Sequence, residues 1–510
     1  MNLRNFTIYD LFKRSARLYK EEIALLFDGQ GITFGELFDQ INALTGWFGS
    51  RGIAKGDRIA VLSRNCPQFF TLMGSIAALG AIMVPINFRL STDEMNYIFS
   101  DIEPVMLFFD PDFEQMMNEV SSACPSLREA IILGSSKGNY FSFDSLLKNK
   151  PGDAAELGDD DPVVIIHTAA TQGEPRGSLI SHRNLISCLI QVANDVGLTR
   201  WDVYLNILPL FHIVGLVAGL TMIHVGGRNV IVSKFDPKGA SKTIDQEKVT
   251  LIGDFPPILA QLLDEKEKGG CALSSLKHVI GVELPDTVKR FEGLGHGQFW
   301  LAYGQTETMG LTCICSNKER PRSAGKQGPL VDLKIVDEFD REVEVGKSGE
   351  IVIRGPLVFQ GYWRQDELTQ HTFREGWHHT GDIGRLDSEG YLFFVGRKAE
   401  KELIKPGGEN VYPVEVEKVI LQHPGVLEVS VVGVPDPKFG EGIKAVCILK
   451  PNVKLSEQEL IDFVAARIAR YKKPGYVSFI DSLPKRGDGS IDREKVKEMY
   501  GSSPNISTDT

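Results

Sequence analysis

The chain has 510 residues, enough for two or three domains with a sizeable core. Its 42% hydrophobic and 24% charged residues are ordinary for a globular protein, and a formal net charge of -11 argues against nonspecific nucleic-acid binding while leaving room for a local basic pocket. Seven scattered cysteines, of which only Cys313 and Cys315 stand close together, read as reduced thiols of a cytoplasmic protein rather than a disulfide framework or a zinc site.

The first residues, MNLRNFTIYDLFKR, lack the apolar core of a secretory signal. Residues 6–50 read as helix, strand, helix, with ITFGEL (32–37) turning a strand into a helix start, and a buried strand follows at 59–62. Residues 69–86 carry no charge and approach membrane-spanning length, but Thr71, Gly74, Ser75, Gly80 and Pro85 favour a buried helix leading into a core strand. A helix from Asp93 and a strand at 105–110 continue the alternation, which predicts α/β layers with mostly parallel sheet.

Residues 152–161 read as a surface linker. A buried strand at 163–166 then runs into a loop holding Gly173, Pro175 and Gly177, followed by a helix from about Ser181. A glycine-bearing loop beside a strand end is a candidate phosphate cradle. It is not a Walker loop: the Gly-Lys-Ser at 346–348 has Arg341 where the leading glycine belongs. Further on come LPLFHIVGL (208–216), VIGVELP (279–285) and LAYGQTETMG (301–310). A strand-rich stretch at 323–363 predicts a small β-barrel or sheet with a structural role.

Residues 379–417 organise the rest. An exposed-looking acid, Asp382, sits between Gly and Ile. A hairpin signal at 387–390 leads to an apolar run at 391–395, a charged stretch at 398–405, the Gly407-Gly408 turn and a helix after Pro413. A strand, a charged joint and a Gly-Gly turn in succession predict a hinge between two bodies. The remainder reads as two strands around a turn (429–450), an amphipathic helix ended by Pro474, then strand, loop and helix, with GSSPNISTDT as a frayed tail.

These motifs, in this order over about residues 6–496, resemble the adenylate-forming acyl-CoA synthetase superfamily, in its fatty-acid and 4-coumarate CoA ligase-like branch. The resemblance implies an α/β fold. Its large N-terminal domain (1–397) has layered α/β sheets and a β-rich subdomain at about 320–397. A hinge at 398–401, a small mobile α+β domain at 402–500 and a tail at 501–510 follow. It implies ATP/AMP, Mg²⁺ and coenzyme A as cofactors, a fatty or aromatic carboxylic acid as substrate and no nucleic acid, and it leaves peripheral membrane contact and oligomer formation open.

By the same resemblance, Thr168, Thr171, Gly173 and Arg176 hold the ATP phosphates, and Phe211-His212 sit by the acyl carboxylate. Glu283 lies on the adenine side, Tyr303 stacks on adenine, Thr306 meets the α-phosphate and Glu307 binds Mg²⁺. Asp382 grips both ribose hydroxyls and Arg397 a phosphate or ribose atom. Lys401 lies at the pivot, and Gly407 and Gly408, with the following Glu409-Asn410, match the turn that meets CoA. The implied reaction is attack of a carboxylate on ATP to give acyl-AMP, then thioester formation with CoA after rotation of the small domain.

Two departures fall on the first half-reaction. The phosphate loop reads T-A-A-T-Q-G-E-P-R-G, with Ala169, Ala170 and Gln172 in place of hydroxyls and a glycine. Ser490 stands where the family carries a lysine between carboxylate and α-phosphate, with Lys485, Arg486 and Arg176 as candidate substitutes. The alternative is therefore an adenylation-impaired relative that performs only the thioester half or binds nucleotide or acyl-CoA without catalysis.

Overall fold

The computed structural model describes residues 5–134, 140–168, 175–397, 403–486 and 491–501. Two large sheets enclose a layer of helices. The eight-stranded sheet has the parallel strands Arg58–Leu62, Ile82–Pro85 and Met106–Phe109 near its middle, next to Pro162–Thr168. The nine-stranded sheet is built on the parallel strands Val203–Asn206, Arg228–Ile231, Leu251–Asp254, His278–Gly281 and Gln298–Tyr303. Such strands are covered on both faces, so they read as continuous apolar runs.

Between the sheets lie the helices Phe34–Ser50, Pro67–Leu79, His182–Val196 and Ile213–Val225, packed in one core with Leu25, Ile59, Val163 and Leu251 from both sheets. The Pro67–Leu79 helix shows why an uncharged stretch can belong to a core. Proline occupies its first turn, where no N–H is needed, and Gly80 ends it at φ 68°. Nearly every residue on it is buried, and the chain passes at once into Ile82–Pro85. Among the described residues no helix is long and apolar enough to cross a membrane.

A third sheet is antiparallel and five-stranded: Asp332–Val336, Gly349–Arg354, Trp377–Leu386 and Phe373–Arg374, with Leu392–Arg397 paired to Trp377–Leu386. The two-residue strand Gly361–Tyr362 leaves this region and joins the eight-stranded sheet beside Arg176–Ser181. The small C-terminal domain has three strands, Val426–Asp436, Gly440–Leu449 and Tyr476–Phe479. Helices Pro413–Ile420 and Glu457–Ala465 pack on them through Val416, Ile420, Leu460 and Val464.

Two expectations change. Arg176 and Gly177, read as loop, begin the strand Arg176–Ser181, antiparallel to Pro162–Thr168. The helix expected to reach Pro474 stops at Ala465, and the chain reaches Lys472 through a 3₁₀ turn. Of the two forms expected for the strand-rich stretch, barrel or sheet, the structure has the open sheet.

Candidate active site

The site grows from Asp382. It lies in the strand Trp377–Leu386, in register with Arg397 on the neighbouring strand. The sequence reads it as exposed. The structure leaves it 5% exposed, because the distant Tyr303–Gln305 segment and Arg397 of the next strand close over it. The Tyr303 hydroxyl donates to Oδ2 at 2.9 Å, Gln305 Nε2 donates to the same oxygen at 2.7 Å, and Arg397 Nε stands 3.3 Å from Oδ1. Gln305 also donates to the Thr380 carbonyl at 2.9 Å, which ties the Y-G-Q-T-E turn to the strand. That turn needs glycine at 304: a Cβ there would lie 2.4 Å from the backbone of Gly310. Burial, then the Asp382 charge, hold the Tyr303 phenol well above its ordinary pKa. The phenol is therefore a donor to Asp382 as well as a flat face, tilted 34° to Phe394.

Thr306 and Glu307 follow in a short 3₁₀ turn, Thr306–Thr308. Glu307 Oε1 accepts from the Tyr362 hydroxyl at 2.9 Å, and its carbonyl accepts from the Phe359 N–H at 2.9 Å. The Arg176 guanidinium lies 5.8 Å from the Tyr362 ring centroid. Thr168 ends its strand directly opposite Arg176. The turn of Glu307, the strand end at Thr168 and the strand start at Arg176 thus meet around Tyr362. Thr171 and Gly173, with the substituted positions Ala169, Ala170 and Gln172, lie outside the described residues, as do Lys401 and Ser490. Glu283 stands just past the end of His278–Gly281, where its Oε1 accepts from the Leu284 N–H at 2.6 Å. Burial raises its pKa, and its charge adds to the burial that raises that of Asp254 on the adjacent strand.

The small domain supplies the opposite wall. Gly407 and Gly408 have φ of 58° and 87°. A Cβ at Gly408 would come 2.9 Å from the Phe255 ring, so the Gly-Gly turn is pressed against the large domain. Glu409, the next residue, pairs with Arg89 and lies 3.1 Å through each oxygen from His212 Nε2. His212 precedes the helix Ile213–Val225 and packs on Phe211, with ring centroids 4.5 Å apart. Burial and then Arg89 lower its pKa, while the Glu409 carboxylate pulls the other way. A neutral ring donating its Nε2 proton to Glu409 satisfies both.

Lys405, Arg89, Gln305 and Tyr362 belong to this site and were given no role by the sequence reading, which placed Glu409 in the turn that meets CoA but not its contacts with Arg89 and His212. The one local signal for Lys405 is its charge beside the Gly-Gly turn in K-P-G-G-E. Crowding within the cleft, then Arg397, push the Lys405 ammonium down to about 8, against the pull of Asp382, Glu441 and Glu307. Water still reaches this residue, which moderates the lowering. Of the expected substitute cations, Lys485 is engaged with Glu428 at 3.0 Å within the small domain.

A divalent metal fits Glu307 only in part. The carboxylate is a hard oxygen donor, but among the described residues no three-ligand group includes it, so phosphate oxygens would complete the shell. Among the described residues the one three-ligand group is Asp340, Glu350 and His379, which does not include Glu307 and in which Glu350 accepts from the Gly381 N–H at 2.9 Å, next to Asp382. There the Arg374 guanidinium bonds Asp340 at 2.9 Å and His379 at 2.6 Å and already supplies the positive charge.

Residues 12–363 match the AMP-binding enzyme family, and residues 415–489 match the AMP-binding enzyme C-terminal domain. The chain belongs to this family. It is thus a member of the adenylate-forming acyl-CoA synthetase superfamily and a ligase. It is 31% identical to a feruloyl-CoA synthase from Amycolatopsis sp over 96% of this chain and 98% of the relative. It is 30% identical to a long-chain-fatty-acid–CoA ligase from Bacillus subtilis, over 97% and 95%.

The o-succinylbenzoate CoA synthetase of Bacillus subtilis, 28% identical, offers a comparison in two states. A double mutant bound to a CoA product analogue superposes with a TM-score of 0.85 over 97% of this chain and 99% of that one. The same enzyme with its acyl-adenylate intermediate gives 0.70 over the same shares. The arrangement of this AMP-binding enzyme is therefore nearer to the product-bound one.

Proposed function

We propose that the chain is an AMP-forming carboxylate–CoA ligase that activates a fatty or aromatic acid. The observation that carries this is the convergence on Asp382 of Tyr303, Gln305 and Arg397, with the Gly407-Gly408 turn of the small domain packed on Phe255 of the large one. Relatives named for an aromatic and a fatty acyl group, at 31% and 30% identity, support both substrate classes.

In this reading Asp382 accepts the ribose hydroxyls and Tyr303 offers its face to the base. Arg176 and Thr168 border the phosphates, and Thr306 donates to the α-phosphate. Mg²⁺, when bound at Glu307, would offset phosphate charge. His212, neutral and held by Glu409, keeps one edge of the acyl space polar. Lys405 brings a cation toward Asp382 and Glu307 from the small-domain side. The Gly-Gly turn leaves backbone, not side chain, where the CoA arm would enter, and closure over the nucleotide excludes water from the acyl-AMP.

The test is pyrophosphate release over a panel of cinnamate-type, arylacetic and fatty acids, with and without CoA. Release with one acid class, followed by CoA-dependent AMP formation, is the expected result. No release with any acid, together with transfer of a supplied acyl-AMP to CoA, would restrict the chain to the thioester half.

A further inference from the structure

Away from the reacting groups, the two domains meet at a buried ion pair. Lys472 of the small domain is 2% exposed, and its Nζ lies 2.5 Å from Glu94 of the large domain and 2.7 Å from Glu415 of its own. Glu94 also accepts the Ala469 N–H at 3.3 Å. Each carboxylate has a second engagement inside its own body. Glu94 closes the capping box of the helix Thr92–Ile102, taking the Ser91 N–H and hydroxyl at 2.8 Å each. Glu415 takes the Tyr412 N–H at 2.8 Å at the start of the helix Pro413–Ile420.

A buried ammonium is stable only when paired, and removing its partner leaves an uncompensated charge. Here separation of the bodies strands neither group: Lys472 keeps Glu415, and Glu94 keeps Ser91. The contact is built to be made and broken. It lies on the same large-domain segment as Arg89, which pairs with Glu409 beside the Gly-Gly turn, so both ties set the small domain in one position. That position is the one nearer to the product-bound relative, at a TM-score of 0.85 against 0.70 with the acyl-adenylate.

We propose that Glu94 is a positioning residue for the CoA-transfer half of the reaction, docking Lys472 so that the small domain holds the Gly407-Gly408 turn against Phe255. This rests on the ligase reading above. Glu94 touches no reacting atom; it sets the population of the transfer-ready arrangement. Adenylation, which does not use that arrangement, does not depend on it.

The test compares Glu94→Ala with Ser91→Ala, which loosens the same helix start but leaves the Lys472 contact in place. Glu94→Ala is expected to slow CoA-ester formation from supplied acyl-AMP about tenfold or more, with pyrophosphate release unchanged. Ser91→Ala should show no such split. Hydrogen exchange at Ala469 supplies a readout independent of turnover, and its amide should lose protection in Glu94→Ala alone. Equal slowing of both halves, an unaltered transfer rate, or the same split in Ser91→Ala would overturn the proposal. If the wild type forms neither pyrophosphate nor CoA ester, the ligase reading falls. Unchanged Ala469 protection in Glu94→Ala would then overturn the docking contact as well.

Discussion

Replacing Asp382 by Asn changes one buried charge and almost no volume. A carboxylate offers about four acceptor positions. Three are engaged in this structure, two on Oδ2 by Tyr303 and Gln305 and one on Oδ1 by Arg397. Two ribose hydroxyls therefore displace one protein donor, and Arg397, the longest contact at 3.3 Å, is the one to yield. The net gain is about one hydrogen bond to a charged acceptor, roughly 1.5–3 kcal/mol. Asp382→Asn should then weaken AMP binding about ten- to a hundredfold, since about 1.4 kcal/mol is a factor of ten. Calorimetric titration with AMP measures this, and a thermal unfolding curve on the same sample separates lost affinity from lost fold. A folded variant that binds AMP as tightly as the parent would refute the ribose assignment. A loss far beyond a hundredfold would refute the displacement arithmetic.

Three other outcomes follow from the same geometry. With its pKa lowered from the ordinary lysine value, Lys405 loses its charge at a lower pH than a free lysine does. AMP affinity should fall as pH rises through that range, and Lys405→Met should flatten the titration and match the parent's alkaline value. Gly408→Ala places a Cβ 2.9 Å from Phe255 on a backbone at φ 87°, and left-handed backbone costs a non-glycine residue about 1–2 kcal/mol. Transfer to CoA should slow about tenfold in a stopped assay while pyrophosphate release persists. Glu307→Gln should raise the Mg²⁺ concentration needed for half-maximal pyrophosphate release, and a chelator should abolish release in both proteins.

Local patterning located most of the fold, because buried parallel strands and their helices announce themselves by apolar runs and caps. It failed where tertiary contacts decide. Arg176–Ser181, with glycine and serine near its start, looks like loop, yet its backbone groups are taken by Pro162–Thr168 on one side and Gly361–Tyr362 on the other. The chain leaves its helix at Ala465, short of Pro474, and its next turn brings Ala469 and Lys472 onto Glu94 of the other body. The site divides the same way. Tyr303, Asp382 and Arg397 could be picked out by motif, and the structure brings them together. Asp382 looked exposed because the residues that cover it lie about eighty positions earlier in the chain. Arg89, Lys405 and the contacts of Glu409 with Arg89 and His212 went unnoticed because a site shared by two bodies leaves no continuous pattern in either.

The two-residue strand Gly361–Tyr362 acts as a rivet. It runs from the antiparallel region into the edge of the eight-stranded sheet, pairs with Leu179 and Ser178, and sends the Tyr362 hydroxyl to Glu307. The β-rich region is therefore no detachable module. A fragment cut off before residue 361 would bare the flank of Arg176–Ser181 and release Glu307 from Tyr362, so a truncation set to isolate a nucleotide-binding piece should yield aggregates rather than a smaller working protein.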